Sequence, residues 1–201
     1  MKNTTNLCIF LGLTVSLLAG HAGFCSGVDM SGWEVPKQSS EKIVIPVSEQ
    51  ELLNRVKQTL AAAGGDPAFI KKVVLDEYGT VFISKAIKTG LPVFVRFVAR
   101  RVPCGDCHDV FFLYTFDNAQ FIDFTPVLIS KRYNKKWDSQ DIEKVESRFA
   151  GNSIKERVPF NPFVDTITSA TMSAKIVFHS MNETSTVYKK LAELGYVEKM
   201  K

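Results

Sequence analysis

Histidine is scarce in this chain of 201 residues, which contains only His21, His108 and His179. A zinc site would need further ligands, so zinc chemistry is not favoured. The apolar run from Leu7 to Ala19 is too short to span a bilayer comfortably. No basic stripe accompanies the net charge of +4, which makes nucleic acid an unfavoured partner. The sequence also contains no internal repeat and no low-complexity tract, which favours an ordinary globular protein.

The N-terminal segment has the features of an export signal. Lys2 supplies a positive start, Leu7 to Ala19 forms the apolar region, and Gly20-His21-Ala22 is a small-residue cleavage site. We therefore expect a signal peptide over residues 1–22 and a polar linker over residues 23–42. The expected location is the periplasm, with the protein either free or peripheral to the inner membrane.

Beyond the linker, hydrophobic periodicity and turn residues predict an α+β fold in which helices pack on an antiparallel sheet. We divide this part into an N-terminal α/β extension of unknown role, residues 43–100, and a domain over residues 101–201. The expected strands cover residues 43–47, 80–85, 92–99, 109–116 and 120–129. The expected helices are one that follows Ser48 and ends at Gly64-Gly65, and those over residues 68–74, 139–148, 171–182 and 184–194.

The most informative stretch is Asp165-Thr166-Ile167-Thr168-Ser169-Ala170-Thr171, which leads into an apolar helical segment. A hydroxyl group at the start of a helix can carry a phosphate, because the first N–H groups and the helix dipole favour negative charge. Ala170 is small and allows close approach of the backbone. The alternative is that Thr168, Ser169 and Thr171 are simple N-cap residues of an amphipathic helix.

This stretch resembles the D-x-x-(S/T)-G-A-T signature of the FMN-binding domain family, which includes the FMN subunits of Na⁺-translocating NADH:quinone reductase and of Rnf complexes. The order of the predicted elements extends the resemblance over Cys104 to about Ser185. The chain departs from the signature at Ser169, where the family has glycine. The resemblance implies an FMN-binding-domain-like fold over residues 101–201.

The resemblance further implies that FMN is joined through its phosphate to the hydroxyl of Thr171. The accompanying cofactor-binding residues are Ala170, Ser169, Thr168 and Asp165, where Asp165 is either a turn-former or a recognition element for the attaching enzyme. A flavin transferase that uses FAD is the implied maturation partner, and redox proteins, either soluble or membrane-bound, are the implied electron partners. The chain would be an electron carrier rather than a catalyst with its own substrate.

A second motif, Cys104-Gly105-Asp106-Cys107-His108, matches the pattern for attachment of haem c. Cys104 and Cys107 could bind the haem vinyl groups, and His108 could bind the iron. The same two cysteines could instead form a disulfide. Alternatives to a flavoprotein are therefore a thiol–disulfide or mono-haem redox module, and a binding or structural domain without a cofactor.

Overall fold

A computed structural model describes residues 43–102, 109–131 and 135–197. The strands are β1 (Lys71–Leu75), β2 (Gly79–Lys85), β3 (Pro92–Arg100), β4 (Val110–Phe116) and β5 (Phe121–Leu128). The helices are α1 (Glu49–Ala62), α2 (Ser139–Phe149), α3 (Thr171–Asn182) and α4 (Thr184–Glu193). All strand pairs are antiparallel, and the strands follow one another in the order β1-β2-β3-β4-β5. The predicted α+β class with helices on an antiparallel sheet is confirmed.

Both faces of the sheet are covered, because apolar side chains alternate between the faces along the strands. On one face α1 packs through Leu52, Val56 and Leu60. On the other face α2, α3 and α4 cover a larger apolar cluster that includes Phe94 and Phe112. The described residues therefore form three layers, with one helix, the sheet and three helices.

Polar caps define the starts of α1 and α2 as the sequence predicts. The hydroxyl of Ser48 accepts a hydrogen bond from the backbone N–H of Glu51 at 3.1 Å. Asp138 and Asp141 form a reciprocal capping box, with distances of 3.1 and 2.9 Å. Each cap satisfies backbone donors that have no partner within the helix.

The structure contradicts two of the expected elements. Residues 68–74, predicted as a helix, contain a turn followed by β1, and Val73 of β1 pairs with Val81 of β2. Residues 43–47, predicted as a strand, belong to no strand. β1 lies at an edge of the sheet and exposes Lys71 and Lys72.

The predicted boundary between residues 100 and 101 does not separate two structural units. β3, which lies before the boundary, pairs with β4, which follows it, from Phe94↔Phe116 to Arg100↔Val110. The extension over residues 43–100 thus supplies three of the five strands of one sheet. The predicted signal peptide and linker lie outside the described residues. Among the described residues no helix combines the length and apolarity needed to cross a membrane.

Arg96 lies at the centre of β3 and is fully buried. Its guanidinium donates to the carbonyl of Tyr78 at 2.6 Å, the hydroxyl of Tyr114 at 3.0 Å and the carbonyl of Ser180 at 2.8 Å. It also donates to the carboxylate of Glu183 at 2.7 Å. A buried charge is tolerated only when it is paired and hydrogen-bonded, and Arg96 meets that condition.

Glu183 lies between α3 and α4 and forms ion pairs with Arg96 and Arg100. Arg100 donates to both of its carboxylate oxygens, at 3.0 and 2.9 Å, and Nε2 of His179 lies 3.4 Å away. Burial alone would raise the pKa of Glu183, but the hydrogen bond with His179 and the charges of Arg96 and Arg100 outweigh it. The result is a pKa lowered from 4.5 to about 2.

The lowered pKa of Glu183 predicts loss of stability in acid. The stabilisation is complete above an unfolded-state pKa near 4.5 and is lost as the pH falls towards 2. A shift of this size corresponds to about 3 kcal/mol. Glu183→Gln should lower the free energy of unfolding at pH 7 by about 3–5 kcal/mol, because Arg96 loses its buried partner.

Urea unfolding from pH 7 to pH 2.5 measures this effect. The difference between the wild type and Glu183→Gln should narrow as the pH falls, whereas exposed Glu193→Gln should follow the wild type throughout. A difference between wild type and Glu183→Gln that stays constant with pH would contradict the assignment.

Gly79 offers a second test, as the first residue of β2 directly after the turn from β1. Its φ is +83°, and a Cβ atom there would lie 2.7 Å from the carbonyl oxygen of Phe97. Gly90 has a similar φ of +70°, but a Cβ atom at Gly90 would have no other heavy atom within 4 Å. We expect Gly90→Ala to cost about 1 kcal/mol of unfolding free energy and Gly79→Ala at least about twice as much. If urea unfolding gave equal losses of unfolding free energy for the two variants, the close contact with Phe97 would have no effect on stability.

Candidate functional site

Thr171 is the first residue of α3, as the sequence predicts, and it is partly exposed. Ala170 immediately before it is buried, while Thr168 and Ser169 are exposed. The hydroxyl-bearing turn is therefore at the surface, with its small residue directed inward. A group attached at Thr171 would meet the helix at its positive end.

No side chain caps α3. The N-cap position is Ala170, with φ −146° and ψ 27°, and no side chain there accepts a hydrogen bond from the first turn. The alternative interpretation of Thr168, Ser169 and Thr171 as N-caps is therefore wrong. An uncapped helix start leaves backbone N–H groups available for water or an anion.

Ser169 has an unusual backbone conformation. Its φ of 62° is the only positive value at a non-glycine residue in the described part of the chain. This left-handed region suits glycine and is unfavourable for other L-residues by roughly 1–2 kcal/mol. The D-x-x-(S/T)-G-A-T signature, which the turn resembles, has glycine at this position, and glycine is the residue that adopts such a φ most readily.

Asp165 is a buried turn-former. Only 1% of it is exposed, and its Oδ2 accepts from the backbone N–H of Asn161 at 2.7 Å. Its own N–H donates to the carbonyl of Asn161, also at 2.7 Å. Of the two roles expected for this residue, the buried position favours the turn-former, because an enzyme cannot contact a side chain that is covered.

The second carboxylate oxygen of Asp165, Oδ1, forms an ion pair with Arg148 of α2. Oδ1 has no hydrogen-bond partner among the described residues and lies 3.5 Å from Nη1 of Arg148. Nη2 of Arg148 donates to the carbonyl of Pro159 at 3.1 Å, and Nζ of Lys144 donates to the carbonyl of Thr166 at 3.2 Å. The last turns of α2 therefore hold the segment that precedes Thr171.

The start of the segment that precedes Thr171, at Val158, is held by α3. The amide of Asn182 accepts from the N–H of Val158 and donates to its carbonyl, each at 2.8 Å. Sequence reasoning did not identify the roles of Asn182, Lys144 and Arg148, since each depends on residues that are distant along the chain. An amide that mimics a backbone pair gives no local pattern from which its role can be read.

The aromatic residues of the β4–β5 hairpin do not form a platform for a flat ligand. The six candidates are all buried, with exposed fractions of 0 to 3%: Phe111, Phe112, Tyr114, Phe116, Phe121 and Phe124. Phe112 contacts Phe124, and Tyr114 contacts Phe116, at tilted ring angles, and Phe121 meets Phe149 of α2 edge to face. Core packing is therefore their role.

Cys104, Cys107 and His108 lie outside the described residues, and the expected haem or disulfide there stays a prediction. The described residues contain no group of three or more histidine, cysteine or acidic side chains arranged to hold a metal ion. A groove of about 660 Å³ lies between α1 and the segment leading into β1. It is lined by residues such as Leu53, Ile70 and Phe82 and by none of the predicted site residues.

Comparisons of the chain with protein-family models, with curated proteins and with solved structures found no match. The geometry of the turn before α3 is therefore the basis on which a function is argued.

The backbone of Ser169 generates a prediction that needs no cofactor. Ser169→Gly should raise the free energy of unfolding by up to about 1 kcal/mol, because glycine relieves the left-handed strain and loses part of the gain to its greater freedom when unfolded. Thr168→Gly is the control, since Thr168 is an exposed neighbour without a positive φ, and should lower stability by roughly 0.5–1 kcal/mol. Equal losses in both variants would contradict the strain at Ser169.

Proposed function

We propose that this protein is an electron carrier that holds FMN covalently, through the flavin phosphate, on the hydroxyl of Thr171. The observation that carries the proposal is the φ of 62° at Ser169, in a turn whose last residue, Thr171, begins an uncapped helix. The resemblance to the signature concerns only the order of residues in the sequence. The backbone conformation adds an independent reason, because it is the one for which the signature's glycine is suited.

The residues of the turn fit a phosphate. The start of α3 favours a negative group, since its first N–H groups have no side-chain cap and the helix dipole is positive there. Ala170 adds no bulk beside the hydroxyl. Asp165 does not oppose the phosphate with a free negative charge, because Asn161 and Arg148 already compensate its carboxylate.

Attachment follows from the chemistry of FAD. The Oγ1 of Thr171 forms a bond to the phosphorus of the FMN half, and the P–O bond to the AMP half breaks. AMP leaves with the bonding electrons, and the threonine proton is released. A flavin transferase is therefore the maturation partner in this proposal, and the attached flavin accepts and donates electrons to redox partner proteins.

The five-stranded sheet with three helices on one face gives the turn a firm support. α2 contributes Lys144 and Arg148, and α3 contributes Asn182, so that both ends of the segment from Val158 to Thr166 are held. A rigid turn favours modification because the hydroxyl does not have to be ordered when the transferase binds. We include an FMN-binding-domain-like fold in this proposal.

Intact-mass spectrometry tests the proposal. The chain should be produced in a host that contains a flavin transferase, and its mass should rise by that of FMN less one water. Thr171→Ala should remove the added mass, and Thr171→Ser should retain it because a hydroxyl remains. Thr186→Ala is the control, since Thr186 is an exposed threonine on α4 outside the turn, and should be modified like the wild type. An unmodified wild-type chain in a competent host would overturn the proposal.

A further inference from the structure

Phe163 is the most exposed large apolar residue in the described part of the chain. It is 97% exposed, and its neighbour Val164 is 52% exposed. Aromatic rings left in water are the usual anchors of protein–protein interfaces, because they bury a large apolar area at a small cost in conformational entropy. The sequence Asn161-Pro162-Phe163 is typical of a turn and gives no reason for an aromatic residue there.

The turn that carries Phe163 is well ordered by hydrogen bonds. Oδ1 of Asn161 accepts from the N–H of Phe163 at 3.0 Å, and the carbonyl of Asn161 accepts from Val164 at 3.0 Å and from Asp165 at 2.7 Å. The hydroxyl of Thr166 donates to the carbonyl of Pro162. The exposed ring is therefore presented on a fixed backbone, and binding does not have to order that backbone.

Phe163 lies close to Thr171 along the chain. Thr171 lies eight positions after Phe163, which limits the distance between their Cα atoms to about 29 Å even for a fully extended chain. The hydrogen-bonded turns at Asn161–Asp165 and at Ile167–Ala170 shorten it further. A standard interface covers about 800 Å² on each partner, or roughly 32 Å across. An interface of that span is therefore long enough to include both Thr171 and Phe163.

We propose that Phe163, with Val164, is the docking anchor through which the flavin transferase binds this chain. The inference rests on the proposed attachment of FMN to Thr171. The partner surface is an apolar pocket that takes the ring, with an acidic rim beside exposed Lys144, whose ammonium group lies against the carbonyl of Thr166. The segment from Asn161 to Thr171 thus carries both the hydroxyl and the contact that brings the enzyme to it.

Kinetics of FMN attachment test the docking role. The wild-type chain, FAD and a purified flavin transferase are mixed, and the modified fraction is followed by intact mass. Phe163→Ala should lower kcat/KM by at least about tenfold through a raised KM, because the buried ring contributes binding and not chemistry. The kcat at saturating chain should stay near the wild-type value, and Phe163→Trp should restore most of kcat/KM.

Ile87→Ala is the matched control, since Ile87 is also exposed, at 71%, and lies in the turn between β2 and β3. It should leave kcat/KM unchanged. Urea unfolding should give the same midpoint for Phe163→Ala as for the wild type, because the ring makes little contact within the fold. Equal kcat/KM for wild type and Phe163→Ala would overturn the docking role while leaving FMN attachment intact. A wild-type chain that takes no FMN would instead overturn the proposed function, and the docking role with it.

Discussion

The buried guanidinium of Arg96 is the interaction on which the rest of the structure depends. It lies in the central strand of the sheet and needs acceptors from elements that are far apart in sequence. Glu183 provides the opposite charge from the junction of α3 and α4. The C-terminal end of α3 is thereby fixed. Because the helix is rigid and its twelve residues span about 18 Å, the position of Thr171 at its start is fixed as well.

Much of the fold could be predicted from local patterns. Short runs rich in Val, Ile and Phe predicted β2 to β5 within one residue at each end. The caps at Ser48 and Asp138 predicted two helix starts. The helix expected over residues 68–74 was wrong for a physical reason. Asp66 accepts from the N–H of Ala68 at 2.9 Å, as at a helix start, but the residues after it pair with β2 instead. Strand pairing there outweighs a local signal.

The candidate site was predictable in part. The sequence predicted that α3 begins at Thr171, and the structure confirms it. The glycine that the signature has at position 169 indicated an unusual backbone there. The burial of Asp165 had no local signal, because it depends on contacts with Asn161 and with Arg148 of α2. The continuity of the sheet across residue 100 was also missed, since a pairing between β3 and β4 leaves no mark in composition.

The position of β1 at the rim of the sheet has a consequence for the behaviour of the protein at high concentration. A rim strand presents unpaired backbone groups on which another molecule can extend the sheet. Lys71 and Lys72 are exposed on β1, so a second molecule that added the same strand would bring ammonium groups together. At the opposite rim β5 contains Pro126, which lacks an N–H group to donate. Like-charge repulsion at one rim and a missing donor at the other thus oppose fibrillar aggregation.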